Sequence, residues 1–327
     1  MIIRSKEANF MELWDVYDKY RQKTGRTHER GNPVNEGDYH LVVHVWIIND
    51  KGEFLIQKRQ PWKKGWPNMW DSSAAGAAVL GDSSREAAIR EAKEELGIDL
   101  DITKLEPLLT VKFSRGFDDI WIIRQNIDIN VLKLQYEEVA DAKWASEEEI
   151  KQMVRNGEFI ASSYLHDLFE IINSNISLSK ATAKDAEGLL AIQKEVFLPL
   201  YEKYQDHGTS PVNQSIERFS RRFDNGDYYK ILYQNSLVGS VFIYEKEPGV
   251  MRFHIINILR KFQNKGIAQE VMKRLEIMYP QVECWELETI LSERRNCYLY
   301  EKMGYVRNGE PKVINDKMTL VTYKKLI

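Results

Sequence analysis

The strongest constraint on how this chain can fold is a break. At 173–188 it reads NSNISLSKATAKDAEG, a polar, small-residue stretch between two segments that each mix strand-like and helix-like patterns. A 327-residue chain divided there yields two pieces of ordinary domain size. The first piece carries strand patterns at 41–48, 54–59, 108–114 and 120–129, a loop with three Trp at 60–70, and helices at 84–96, near Ile150–Val154 and at 162–172. The second carries helices at 185–205, 216–223, 267–279 and 294–302, and strands at 229–234, 237–245, 251–259 and 283–290. Strands and helices alternate in both pieces, so the class is α/β or α+β. No internal repeat relates them, so they are different domains, 1–175 and 176–327, with the break read as linker plus the start of the second.

Composition removes several function classes. With 43% hydrophobic and 29% charged residues the chain is globular. Its 46 Lys and Arg against 49 Asp and Glu leave no global basic footprint, so no nucleic-acid partner is expected. The N-terminus MIIRSKEANF lacks a continuous apolar core, and the longest apolar run, 41–48, is too short to span a bilayer. No membrane partner is expected. Two cysteines, Cys284 and Cys297, form no disulfide framework and point to a reducing, cytoplasmic setting. A homodimer is left open.

The helix at 84–96 is well punctuated. Ser83 and Glu86 make an S-x-x-E capping box, Gly97 stands where a left-handed C-terminal residue belongs, and Ala87, Ala88, Ala92 and Leu96 supply the apolar stripe. Glu91, Glu94 and Glu95 share one face. Such like-charge neighbours cost about 0.2–0.5 kcal/mol per pair, and a hard divalent cation would reverse that cost. A solvated acidic face, eased by the i,i+4 pairs of Arg90 with Glu86 and Glu94, is the simpler alternative.

The wider spacing favours the cation. Gly76, then Asp82, then Arg90-Glu91-Ala92-Lys93-Glu94-Glu95-Leu96-Gly97-Ile98 resembles the Nudix box, G-x5-E-x7-R-E-U-x-E-E-x-G-U with U apolar. The resemblance implies an αβα sandwich that hydrolyses a diphosphate-linked compound with Mg²⁺ or Mn²⁺. It implies metal binding by Glu91, Glu94 and Glu95, with one of them or an outside Glu activating water. Arg90 would hold Glu91, and Gly76 would bring its backbone to the metal. Glu138 resembles a downstream acidic position that can also touch metal. Asp82 replaces the box's first Glu and reaches less far; Ala92 replaces a larger apolar residue.

His28 and His40 resemble residues of the type I isopentenyl-diphosphate isomerase branch of the same family. There a third His and a neighbouring Cys complete the chemistry, but here those positions are Ala77 and Ala75. The resemblance therefore implies hydrolysis, not isomerisation. His44, on the same strand face as His40, reads as a half-buried strand residue.

In the second segment, Gln263-Asn264-Lys265-Gly266-Ile267-Ala268 joins an apolar strand to a helix, a turn whose free N–H groups suit a pyrophosphate. Together with Asn296…Tyr300-Glu301-Lys302-Met303-Gly304-Tyr305, it resembles the GNAT acetyltransferases. Their fold is a central mixed, largely antiparallel sheet flanked by helices, and their donor is acetyl-CoA. The resemblance implies that backbone N–H groups of Lys265, Gly266, Ile267 and Ala268, with Gln263 nearby, cradle the CoA pyrophosphate. Asn296 would contact the pantetheine arm and Tyr300 would protonate the leaving thiolate. Glu286, Glu288 and His254 are candidate bases for the acceptor amine, and Tyr201, Tyr204 and Asp206 candidate contacts for a cationic one. Cys297 reads as a buried small apolar residue.

The expectation is a bifunctional enzyme acting on a small-molecule diphosphate and an amine. The alternative is a Nudix-fold ligand-binding or sensor module attached to an active acetyltransferase.

Overall fold

The computed structural model of the chain describes residues 12–103 and 105–327; the N-terminal stretch 1–10 lies outside them. There are two compact units, and the division falls between Phe169 and Glu170.

The N-terminal unit opens with the hairpin β1 (Leu13–Tyr17) and β2 (Lys23–Glu29). Then come β3 (His40–Ile48), β4 (Phe54–Arg59), β5 (Trp70–Asp71), β6 (Ala74–Ala77), α1 (Ser84–Leu96), β7 (Leu109–Phe113), β8 (Gly116–Arg124), β9 (Val139–Ala145), α2 (Glu147–Arg155) and α3 (Leu165–Asn173), within which the division falls. The main sheet has the order β5-β4-β3-β8-β7, with β6 also on β3 and β9 also on β4. On β3, Leu41, Val43, Val45 and Ile47 join a core with Ala87, Ala88, Ala92 and Leu96 of α1. Trp46, one residue out of phase, faces the other way and packs on Phe54, Phe159 and Phe169. Helices thus cover both faces, which is the expected αβα layering.

The stretch SSAAGAAVLG at 72–81, small residues with no strand-like alternation, contains strand β6. Strand β4 pairs with β3 only at Ile47 and Ile48, so the rest of that β3 edge, Val42 to Val45, is open to β6. Alanines on α1 and small residues on β6 let helix and strand approach closely. The capping box at Ser83 and Glu86 is formed, and Gly97 ends the helix at φ 72.

The C-terminal unit contains β10 (Ile176–Lys180), α4 (Ala186–Tyr204), α5 (Ile216–Ser220), α6 (Arg222–Asn225), β11 (Asp227–Tyr233), β12 (Ser236–Glu247), β13 (Val250–Ile258), α7 (Ile267–Met278), β14 (Cys284–Ile290), α8 (Arg294–Lys302), β15 (Val306–Arg307), β16 (Lys312–Asn315) and β17 (Met318–Leu326). The stretch read as linker includes β10, an edge strand whose Ile176 enters the core. Its Ile176-Ser177-Leu178-Ser179 alternation is too short, with two serines, to stand out from the polar stretch around it. The sheet order is β10-β11-β12-β13-β14-β17-β15, with β16 on β17. Helix α7 packs on one face with Val241, Ile243, Phe253 and Trp285. Residues of α4 and α5, including Leu189 and Phe219, pack on the other face with Phe242 and Ile255. Among the described residues no helix is long and apolar enough to cross a membrane.

Two features shape this sheet. The pair β13–β14 is parallel and spans only Val250↔Cys284 to Phe253↔Leu287; beyond it β13 stays with β12 and β14 with β17, so the strands part. At the parting point Phe242 pairs with Ile255 and Ile243 with Phe253, leaving His254 as an extra residue, a β-bulge. The bulge switches the alternation: Phe253 belongs to the α7 core and Ile255 to the opposite one.

Candidate active sites

In the N-terminal unit the box residues gather between α1 and β6. A Cβ built on Gly76 would overlap the Glu91 carboxylate, so a side chain there would displace that carboxylate. Glu95 is buried at 4% exposure. Its Oε2 accepts hydrogen bonds from Gln57 Nε2 at 2.7 Å and from the Ala75 N–H at 3.1 Å. Burial, and then the neighbouring Glu91 charge, push the Glu95 carboxyl up to about 8. Burial also raises Glu91, against the lowering effect of Arg90.

Arg90 organises the outer side. It donates from Nη1 to Glu91 at 2.8 Å and to Glu94 at 3.3 Å, from Nη2 to the Ala77 carbonyl at 2.9 Å, and from Nε to Asp82 at 3.1 Å. The shorter Asp82 thus reaches the arginine that holds Glu91. Glu94 is half exposed. Glu138 lies at the start of β9 in an ion pair with Lys63. Among the described residues no three His, Cys, Asp or Glu side chains are already gathered around a common metal position. The donor chemistry nevertheless suits a hard cation: crowded carboxylates, those of Glu91 and Glu95 both raised in pKa, beside a glycine backbone.

Sequence reasoning missed Gln57. It lies on β4, 1% exposed, and its Oε1 has no hydrogen-bond partner. A lone Gln in a strand gives no local signal. His28 and His40 flank Trp14, with His40 stacked on it at 4.5 Å and bonded to the Arg115 carbonyl. His44 pairs with Asp118 at 2.7 Å. Burial alone would lower its pKa, but the Asp118 charge outweighs this and holds it at about 9.

In the C-terminal unit the parted strands border a cavity of about 800 Å³ lined by His254, Glu288, Asn296 and Tyr300. Strand β13 leads through Gln263, whose Nε2 is spent on the Ile258 carbonyl, to Asn264 at φ 63 and Gly266 at φ 74. Gly266 caps α7 without a side chain, which leaves the first-turn N–H groups at Ile267 and Ala268 available. The Lys265 side chain turns onto the rings of Tyr233 and Phe262.

Tyr300 is buried at 7% exposure, and its ring leans on Tyr305 and Tyr323. Burial raises the phenol to about 12, so it stays protonated at neutral pH. Cys297 is buried, as expected. Among the candidate bases, Glu286 is enclosed by Lys246, Arg252 and Lys324 and does not line the cavity. His254 is held down to about 4, first by the protein packed around it and then by Arg222, Arg252 and Arg218.

The expected cationic-amine contacts are otherwise engaged. Asp206 accepts from the Gly208 and Thr209 N–H groups and from the Thr209 hydroxyl. Tyr204 bonds Ser292 and Glu293. Tyr201 lines the cavity but its hydroxyl bonds His207.

Comparison with known proteins finds a NUDIX domain at residues 38–167 and an Acetyltransferase (GNAT) domain at 200–327. An uncharacterized Nudix hydrolase of Listeria monocytogenes is 47% identical over 164 residues, 50% of this chain and 97% of that protein. An isopentenyl-diphosphate Delta-isomerase of Salmonella arizonae is 31% identical over 118 residues, 34% of this chain and 64% of the isomerase. A crystal structure of a GNAT family acetyltransferase from Elizabethkingia anophelis, with acetyl-CoA bound, aligns at 19% identity and a TM-score of 0.36, covering 47% of this chain and 100% of that one.

Proposed function

We propose, for a chain that belongs to the Nudix hydrolases through its N-terminal half and carries a GNAT acetyltransferase domain in its C-terminal half, that the first unit hydrolyses a small diphosphate-linked compound and the second acetylates an amine. The observation that carries the first part is the packing of Glu91 against Gly76 and of buried Glu95 against the neighbouring Ala75 N–H. Glu91, Glu94 and Glu95, with the Gly76 carbonyl, would hold Mg²⁺ or Mn²⁺. When bound, the metal neutralises diphosphate charge and acidifies water. The chain's own part is to keep the carboxylates in place: Arg90 orients Glu91, Asp82 orients Arg90, and Gln57 and the Ala75 N–H orient Glu95. Phosphate release from a panel of nucleoside-diphosphate and prenyl-diphosphate compounds, with and without Mg²⁺, tests this reading. The second reading, a ligand-binding module, is favoured by the engagement of both Glu91 and Glu94 with Arg90; metal-dependent release would overturn it.

For the second unit the supporting observation is the parting of β13 and β14 at a cavity lined by Asn296 and Tyr300, together with the Gly266 turn that opens α7. The N–H groups of 265–268 would hold the CoA pyrophosphate and Asn296 the pantetheine arm, with the thioester between the strands. The acceptor amine attacks the acetyl carbonyl, its proton passing toward Glu288 or His254 on the two strands. The C–S bond breaks and Tyr300 gives its proton to the departing thiolate. The two free, buried cysteines fit a reducing cytoplasm. Release of CoA thiol from acetyl-CoA in the presence of amines tests this part.

A further inference from the structure

We propose that the acetyl acceptor carries an anionic oxyacid group, a carboxylate or a phosphate, which Arg222 and Arg218 bind within the cavity of the C-terminal unit. The proposal rests on the acetyltransferase reading and names the substrate class of that site.

The charge lining the cavity carries the argument. Arg218, Arg221, Arg222 and Arg252 all border it. The carboxylates beside them are already engaged: Asp206 by its own turn, and Glu288 by Arg252 Nη2 at 2.5 Å. Among the described residues Arg218, Arg221 and Arg222 form no ion pair.

Arg222 is the most telling of the three. It is partly buried, with its guanidinium 5.3 Å from the Phe219 ring centre and 5.6 Å from that of Phe242. Its Nη1 donates to the Gln193 amide oxygen at 2.7 Å. Burial lowers its pKa, against the raising effect of the Tyr228 hydroxyl beside it. Elsewhere in the chain enclosed arginines have carboxylates: Arg274 has Glu270, and Arg252 has Glu286 and Glu288. An enclosed guanidinium fixed by two rings and an amide, open to a cavity and without an anion, is built to receive one. Its planar fork suits carboxylate or phosphate oxygens.

The phosphates of CoA do not account for it. Arg222 packs on the sheet face with Phe219 and Phe242, whereas the Gly266 turn opens α7, which packs on the opposite face. A donor held at Gly266 and an acceptor anchored at Arg222 would meet where the strands part, beside His254.

The test uses the full chain with acetyl-CoA and matched primary amines: glycine against glycinamide, O-phosphoethanolamine against ethanolamine, and spermidine as a cationic probe. CoA thiol release gives kcat and KM. We expect the anionic member of a pair to be favoured at least ten-fold in kcat/KM. Arg222→Gln and the exposed Arg218→Gln should lose that preference chiefly through KM, with acetyl-CoA affinity unchanged by calorimetry. Which pair shows the preference identifies carboxylate or phosphate. Thermal protection by inorganic phosphate at saturating CoA gives a second readout, expected in the wild type and reduced in both variants. Preference for neutral or cationic amines, or a preference and a protection unchanged in both variants, would overturn the proposal. If acetyl-CoA does not bind at all, the acetyltransferase reading itself fails, and the proposal with it. If acetyl-CoA binds and no probe amine reacts, the phosphate readout decides.

Discussion

Gly76 and Glu91 occupy one space: the carboxylate lies where a side chain on residue 76 would begin. Glycine leaves the Glu91 carboxylate in place here through close approach, not through backbone dihedrals. Gly76→Ala should displace Glu91, destabilise the protein by about 1–3 kcal/mol as overpacking does, and remove metal-dependent hydrolysis. Chemical denaturation with phosphate-release assays checks both, and acetyl transfer should persist. Full hydrolysis by a stably folded alanine variant would detach Glu91 from the chemistry.

Glu95 makes a pH-dependent prediction. Its carboxyl moves from the ordinary 4.5 to about 8 in the fold, chiefly through burial. The folded state therefore holds the proton more tightly than the unfolded state. That stabilisation is complete below the unfolded value and is lost as pH rises toward about 8. With a chelator present, Glu95→Gln should become progressively more stable than wild type across this window, by on the order of a few kcal/mol at its upper end. Mg²⁺ should stabilise wild type, more strongly at higher pH where the proton no longer competes, and should not stabilise the variant. Melting curves from pH 5 to 9 would show the opposite slope if Glu95 were an ordinary ion-paired carboxylate.

Asp82 touches Arg90 and acts through it. Asp82→Ala should lower hydrolysis by about 10–100-fold, the usual effect of losing a residue that orients a metal ligand. Asp82→Asn, which keeps an acceptor oxygen for Arg90 Nε, should recover part of it. Equal activity in Asp82→Ala and wild type would leave Asp82 as a loop charge.

Tyr300→Phe keeps the ring between Tyr305 and Tyr323 but removes the proton. Single-turnover acetyl transfer should fall by roughly 10²–10⁴, the usual contribution of a positioned acid, while acetyl-CoA affinity holds. An unchanged single-turnover rate would make Tyr300 a core aromatic.

Purified protein should form no dimethylallyl diphosphate from isopentenyl diphosphate. Ala75 and Ala77 carry no group that can move a proton, and Ala75 contributes its N–H to Glu95 instead. Detection of the isomer by mass-balanced chromatography would refute this.

What is local along the chain was legible in its sequence. A capping box, a terminal glycine and three glutamates on one face depend on residues within a turn or two of each other, so the order of residues alone identifies α1 and its carboxylates. The same holds for the Gly266 turn and for Tyr300 four residues after Asn296. Whatever depends on strand pairing across long separations came only from the folded chain. Strand β6 exists because β4 leaves part of the β3 edge open. Gln57 meets Glu95 across 38 residues. The bulge at His254 is defined only against the partner strand β12. Asp206, legible as an acidic group near an acceptor site, is closed by its own turn, and Arg222, silent in the sequence, is enclosed without an anion. A residue's charge is written in the sequence, but whether that charge is already compensated depends on which neighbours the fold brings within a few ångströms.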